Sequence, residues 1–119
     1  MGLDQRERPR LDPERGRLVG SRCTVCGAAS WPGRAVCHRC GSTEIESAAL
    51  SPEGSLLSLT TVRLESPYAI GEVELEPGVR IYAHIRDADG IATPAPVRVV
   101  LSSDPDAAVA FWFVPVGRR

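Results

Sequence analysis

Four cysteines confined to residues 23–40 constrain this chain more than any other feature of it. They read Cys23-Thr-Val-Cys26 and Cys37-His-Arg-Cys40, two Cys-x-x-Cys hooks separated by ten residues. Hooks this close can bring all four thiolates to the corners of one tetrahedron. That geometry and donor set suit Zn²⁺, which has no geometric preference of its own. Gly27 and Gly41 follow the hooks, and a residue without Cβ lets the chain turn there so that backbone N–H groups face sulfur. The expectation is a structural Zn²⁺ held by Cys23, Cys26, Cys37 and Cys40, with no position left open for water or substrate. Iron is the alternative ion for four thiolates. Two disulfides are the other alternative. The first residues, Met1-Gly2-Leu3-Asp4-Gln5-Arg6, begin no apolar stretch of the signal-peptide kind. A cytoplasmic, reducing compartment is therefore expected, and it disfavours disulfides. His38, inside the second hook, is read as a surface residue or one that packs behind the ligands, not as a fifth ligand.

With 119 residues, the chain can hold one modest core beside a small metal-stabilised module. Residues 1–20 form an arm rich in Arg, Asp, Glu and Pro. Pro9 and Pro13 rule out one long helix there, so the arm is expected to be mobile or weakly helical, or to order against a partner. Residues 21–43 are the ribbon, in which Trp31 is expected to cover one side of the metal. Residues 44–53 are a linker in which Ile45 and Leu50 suggest a short strand. Residues 54–119 are a β domain.

Within that domain the period-two signal is clearest from Val79 to Ile85. There Val79, Ile81, Ala83 and Ile85 alternate with Arg80, Tyr82 and His84. Residues 54–62, 67–75, 96–101 and 109–116 give four more strand candidates, and Glu76-Pro77-Gly78 closes a hairpin. The last strand is apolar on both faces, which suggests cover from both sides. Five short strands without a long helix favour a closed or nearly closed five-stranded barrel of the OB type, since closure removes exposed strand edges. The fold class is thus all-β: a zinc ribbon followed by an OB barrel.

These residues resemble a known family. The run of hooks with Trp31-Pro32-Gly33-Arg34 between them, then Gly54-Ser-Leu-Leu-Ser-Leu-Thr60-Thr61-Val62, then Pro67-Tyr68 through Val73-Glu74-Leu75 to Gly78-Val79-Arg80, is similar to the acyl-CoA-associated proteins that join a rubredoxin-like zinc ribbon to an OB domain. The resemblance covers roughly residues 18–116. It implies a small accessory subunit that binds and stabilises a thiolase-like acyl-CoA enzyme, a thiolase or an aldolase, in a hetero-oligomer such as a heterotetramer. It further implies that this subunit helps to form an acyl-CoA channel, with the catalytic residues in the partner. Partnership with an enoyl-CoA hydratase and a standalone acyl-CoA-binding role are the alternatives within the same chemistry.

The side-chain inventory agrees with a non-catalytic chain. His38 and His84 are far apart, and the metal takes every cysteine, so no Cys–His dyad is available. Asp87 with Asp89, and Asp104 with Asp106, read as turn formers. An OB-type nucleic-acid binder is a further alternative, with Tyr68, Tyr82, Trp112, Arg63, Arg80 and Arg98 as fragments of a groove. A net charge of −1 and the lack of lysine weaken it. Arg34, Arg63 and Arg80 are instead candidates for contact with the phosphates of CoA. No apolar stretch is long enough to span a membrane.

Overall fold

The computed structural model describes residues 10–76, 78–104 and 106–117. Among the described residues nine strands follow in chain order: β1 (Leu11–Asp12), β2 (Arg17–Cys23), β3 (Ala29–Ser30), β4 (Ile45–Ala49), β5 (Glu53–Val62), β6 (Tyr68–Leu75), β7 (Val79–Ile85), β8 (Ala95–Leu101) and β9 (Phe111–Pro115). Among the described residues no helix is long and apolar enough to cross a membrane.

The first four strands form a small sheet centred on β2, which pairs antiparallel with β1, β3 and β4. Residues 10–20 are therefore a hairpin leading into that sheet, where a mobile or weakly helical arm was expected; residues 1–9 lie outside the described residues. Asp12 makes the hairpin. Its carbonyl accepts the Gly16 N–H (2.8 Å), its carboxylate pairs with Arg15 and Arg17 (3.5 and 3.3 Å), and Gly16 takes a positive φ of 63°. That turn chemistry, combined with Leu18 fully buried, overrides the weak helical propensity. In residues 44–53 the suggested strand is present: β4 runs along β2 from Ala49 opposite Val19 to Ile45 opposite Cys23.

The remaining five strands close into a barrel in the order β5-β6-β7-β9-β8, with β8 returning to β5. Alternation dictates what goes inside. Val79, Ile81, Ala83 and Ile85 are buried along β7, and Gly71, Val73 and Leu75 along β6. Two features shape the closure. β5 carries a bulge between Leu56 and Ser58, which bends the strand. β9 lies antiparallel to β8 over its whole length but meets β7 in parallel at Ile85 and Phe113, where the Arg86 N–H also donates to the Phe113 carbonyl (2.9 Å).

Phe113, Leu56, Val73 and Val97 fill the barrel, and Leu18 and Leu50 extend the same cluster towards the small sheet. The two-sided apolarity of the last strand is answered within the chain. Phe113 points inward, and Phe111 meets the edge of Trp31 (centroids 5.2 Å apart, planes at 83°). Trp112 is covered by the Arg86 guanidinium, 3.8 Å from its ring centre. Trp31 therefore docks the ribbon on the barrel, its Nε1–H donating to the Arg10 carbonyl (3.2 Å), instead of covering the sulfurs as expected. An indole this large gains more from apolar area and an edge-to-face partner than from a shallow knuckle.

Candidate metal centre

β2 ends at Cys23, so the first hook begins where the sheet stops. Both hooks then fold alike. Cys23 N–H donates to the Ala28 carbonyl and Cys37 N–H to the Ser42 carbonyl (2.8 Å each). Gly27 N–H returns to the Cys23 carbonyl (2.9 Å) and Gly41 N–H to that of Cys37 (3.0 Å). Both turns need left-handed backbone, and the glycines supply it at φ 83° and 77°.

The four sulfurs lie within 4.8 Å of one another. The contacts run across the hooks: Cys23 Sγ to Cys40 Sγ is 3.6 Å, and Cys26 Sγ to Cys37 Sγ is 3.5 Å. Four thiolates about 2.3 Å from one ion stand ~3.8 Å apart at the corners of a tetrahedron. A disulfide needs ~2.05 Å. The donor set and spacing therefore fit a closed tetrahedral zinc site. Exposure is uneven: Cys23 and Cys37 are buried, Cys26 is half-buried and Cys40 is exposed.

Electrostatics differ among the thiols before any ion binds. The N–H groups of Cys40 and Arg39 point at Cys37 Sγ (3.4 Å each) and draw its pKa down to about 6. The backbone N–H of Cys26 lowers Cys23 in the same way. For Cys40 the Ser42 backbone pulls downward, yet the sulfur of Cys23, burial and the other two sulfurs push it up to about 12. Charge on one sulfur thus suppresses ionisation of the next, which a divalent ion would relieve.

Of the three arginines, two come together. Arg34 and Arg80 line one cleft of about 360 Å³ between ribbon and barrel, with His38 and Trp31. Arg34 is set there by Ser21, a buried residue of β2 whose hydroxyl oxygen accepts the Arg34 backbone N–H (2.9 Å) and meets Ser30 Oγ (3.1 Å). Ser21 was not singled out from the sequence, because the strand that buries it was read as part of an arm and ribbon. Arg80 Nε donates to Glu74 Oε2 across the β6–β7 hairpin (3.0 Å). Arg63 stands apart. It follows Val62, which pairs with Tyr68, whereas the cleft lies near the opposite, Gly54–Leu75 end of the same ladder.

A larger groove of about 610 Å³ lies at that far end, between the rings of Tyr68 and His84, 5.1 Å apart and tilted by 34°, and the turn carrying Asp87 and Asp89. The two histidines thus sit at different places, His38 in the cleft and His84 in the groove. Asp104 serves its turn as expected, its Oδ1 accepting the Asp106 N–H (2.9 Å).

Comparison with known proteins meets this architecture in both halves. Residues 12–46 match the family model described as the ChsH2 rubredoxin-like zinc ribbon domain, and residues 47–102 match that of the ChsH2 C-terminal OB-fold domain. The chain is 37% identical over 82 residues to a DUF35 domain-containing scaffold protein of Methanocaldococcus jannaschii, covering 62% of this chain and 58% of that protein. It is 33% identical over 78 residues to the benzoylsuccinyl-CoA thiolase subunit BbsA of Thauera aromatica, covering 61% and 54%. The matched part thus spans little more than half of these relatives. Among solved structures, a chain of the Ltp2–ChsH2(DUF35) aldolase superposes with a TM-score of 0.69 at 27% identity, over 86% of this chain and 87% of that one. A DUF35 protein of Sulfolobus solfataricus shares the fold at TM-score 0.62 and 18% identity.

Proposed function

We propose that this chain, which belongs to the ChsH2 family of zinc-ribbon and OB-fold proteins, is a non-catalytic accessory subunit that binds and stabilises a thiolase-like acyl-CoA enzyme. The observation that carries this reading is the likeness, over nearly the whole of both chains, to a chain of an aldolase complex. The thiolase-subunit name of a second relative supports it. In this reading the ribbon and the barrel present one continuous surface to the partner, because Trp31 and Phe111 lock them together. Zinc, when bound by Cys23, Cys26, Cys37 and Cys40, supplies structural cross-linking of the two hooks and no reaction chemistry.

The cleft adds a second element. Arg34 and Arg80 face one concavity from two modules, an arrangement suited to a phosphate-bearing ligand such as CoA at the partner interface. Arg63 is too far along the barrel to join them. Nucleic acid is a poorer occupant, since residues 47–117 carry nine acidic side chains against four arginines.

The test is co-expression with the thiolase-like subunits of the source genome. The expected result is co-elution of this chain with one of them in equal amounts, as a heterotetramer. Arg34→Ala with Arg80→Ala is expected to weaken CoA binding by that complex while leaving its assembly intact. A chain that stays alone beside every such subunit, and instead shifts single-stranded nucleic acid at physiological salt, would overturn the proposal.

A further inference from the structure

Ribbon and barrel carry opposite charge. From Arg15 to Thr43 the chain has five arginines and no acidic residue, whereas from Glu44 to Gly117 it has eleven acidic residues and four arginines. We propose that the metal cluster builds a docking surface on the ribbon, with Val25 and Val36 at its centre and Arg22 and Arg39 at its rim. Its occupant is a complementary face of the partner enzyme, an apolar recess edged by carboxylates. The proposal rests on the accessory-subunit reading above, and adds where the partner sits and what its surface is made of.

Single apolar side chains scattered on a surface mean little. These two are brought together. Val25 is 66% exposed and Val36 50%. Each immediately precedes a cysteine, and the sulfurs of those cysteines, Cys26 and Cys37, lie 3.5 Å apart within the cluster. The metal site thus gathers valines from both hooks. Val36 also lines, with Pro32 and Ala35, a cavity of about 410 Å³ in the loop between the hooks, so the apolar surface continues beyond the metal. The residues that precede the other two cysteines are Arg22 and Arg39, both exposed. Arg22 leans on Glu46 in an exposed pair (3.6 Å), which an incoming carboxylate replaces at little cost. An apolar centre with a polar rim is how protein interfaces are built, and the planar fork of arginine matches a carboxylate.

Charge selects among occupants. A second copy of this chain would have to offer its acidic barrel to the ribbon. Ribbon against barrel is a head-to-tail contact, which closes only as a ring and otherwise runs on into a filament. Single-stranded nucleic acid is held by aromatic platforms as well as by cations. The tryptophan of the ribbon, Trp31, is instead engaged with Phe111, and two valines take the centre of the surface. A protein face with its own carboxylates satisfies both the valines and the arginines.

The experiment titrates the full zinc-loaded chain against the thiolase-like subunit that co-elutes with it, for wild type and three variants, each checked for zinc by elemental analysis. Val25→Asp with Val36→Asp is expected to weaken the complex about tenfold or more, since both lie at the centre of the contact. Arg22→Glu with Arg39→Glu is expected to weaken it too, and to flatten the loss of affinity that wild type shows between about 50 and about 500 mM salt. Tyr82→Asp changes a side chain of the barrel that is 73% exposed, and is expected to leave affinity within about twofold. Wild-type affinity in the zinc-loaded valine variant would overturn the proposal, as would wild-type binding indifferent to salt. Loss of binding on Tyr82→Asp alone would place the contact on the barrel and overturn it as well. Should the valine variant lose zinc, the arginine variant decides, because the Arg39 backbone N–H to Cys37 Sγ survives the change of side chain. A wild-type chain that finds no thiolase-like subunit overturns the accessory-subunit reading and this inference with it. One that binds such a subunit through unaltered affinity in both ribbon variants overturns the inference alone.

Discussion

At the scale of single residues, the metal centre makes the sharpest predictions. Cys37 receives two backbone N–H groups and is buried. Cys37→Ser removes a ligand that neighbouring thiols cannot replace. Zinc affinity is expected to fall by more than the roughly 10–100-fold that loss of an outer-shell partner costs, and partner binding is expected to go with it. Elemental analysis and co-elution check both, and retention of both would refute the assignment. The pH dependence has a fixed sign. Zinc displaces protons from the thiols, so apparent affinity falls as pH falls. At neutral pH the proton of Cys40, whose pKa lies at about 12, must be expelled, whereas Cys37, at about 6, is already largely ionised. The loss of affinity therefore steepens once pH drops below about 6, where Cys37 also binds a proton. Competition against a chromophoric chelator between mildly acidic and mildly alkaline pH measures the slope. All four of these residues were legible in the sequence, because ligand spacing is a local property. Ser21 was not, since its value depends on burial against Arg34, which comes thirteen residues later in the chain.

At the scale of elements, strand parity carried the reading and long-range contacts corrected it. The alternation along β7 is written residue by residue, and Val79, Ile81, Ala83 and Ile85 all lie inward where parity put them. The hairpin of residues 10–20 was less legible. Its proline, Pro13, and its mixed charges resemble a mobile arm until β2 finds β4, more than twenty residues later. Trp31 was misplaced for a similar reason: its partner, Phe111, is eighty residues away. Two substitutions test these elements. Gly71 faces the bulge of β5, and a Cβ there would meet Leu56 Cδ1 at 2.5 Å, the Ser58 carbonyl oxygen at 2.7 Å and Ile85 Cγ1 at 2.9 Å. Gly71→Ala is expected to cost ~1–3 kcal/mol by overpacking, read as a lowered Tm of the zinc-loaded chain; an unchanged Tm would mean that the bulge relaxes freely. Trp31→Ala removes the ring that joins the two modules, losing ~0.5–1.5 kcal/mol from the aromatic pair alone. Its signature is earlier melting of the ribbon with little change in the barrel, seen by hydrogen exchange in β2–β4 against β5–β8.

At the scale of the whole molecule, the two modules hold themselves together by different means. The barrel closes through its own ladders around Phe113 and Val97, whereas the ribbon has one small four-stranded sheet, two hooks and a shared edge of the core at Leu18 and Leu50. Chelating the metal is therefore expected to strip exchange protection from residues 17–49 while β5–β9 keep most of theirs. Equal loss in both halves would show that the barrel depends on the metal as well. The way the barrel closes also bears on synthesis. β9 fills the gap between β7 and β8. A nascent chain that has not yet delivered Phe111 has two open strand borders, and pairing Ile85 with Phe113 must wait for the residues between them. Until the last segment clears the ribosome, those borders invite pairing with other chains. Truncation before Phe111 should accordingly yield aggregates, read by light scattering of the truncated chain beside the full one, because β9 is the latch that closes both borders.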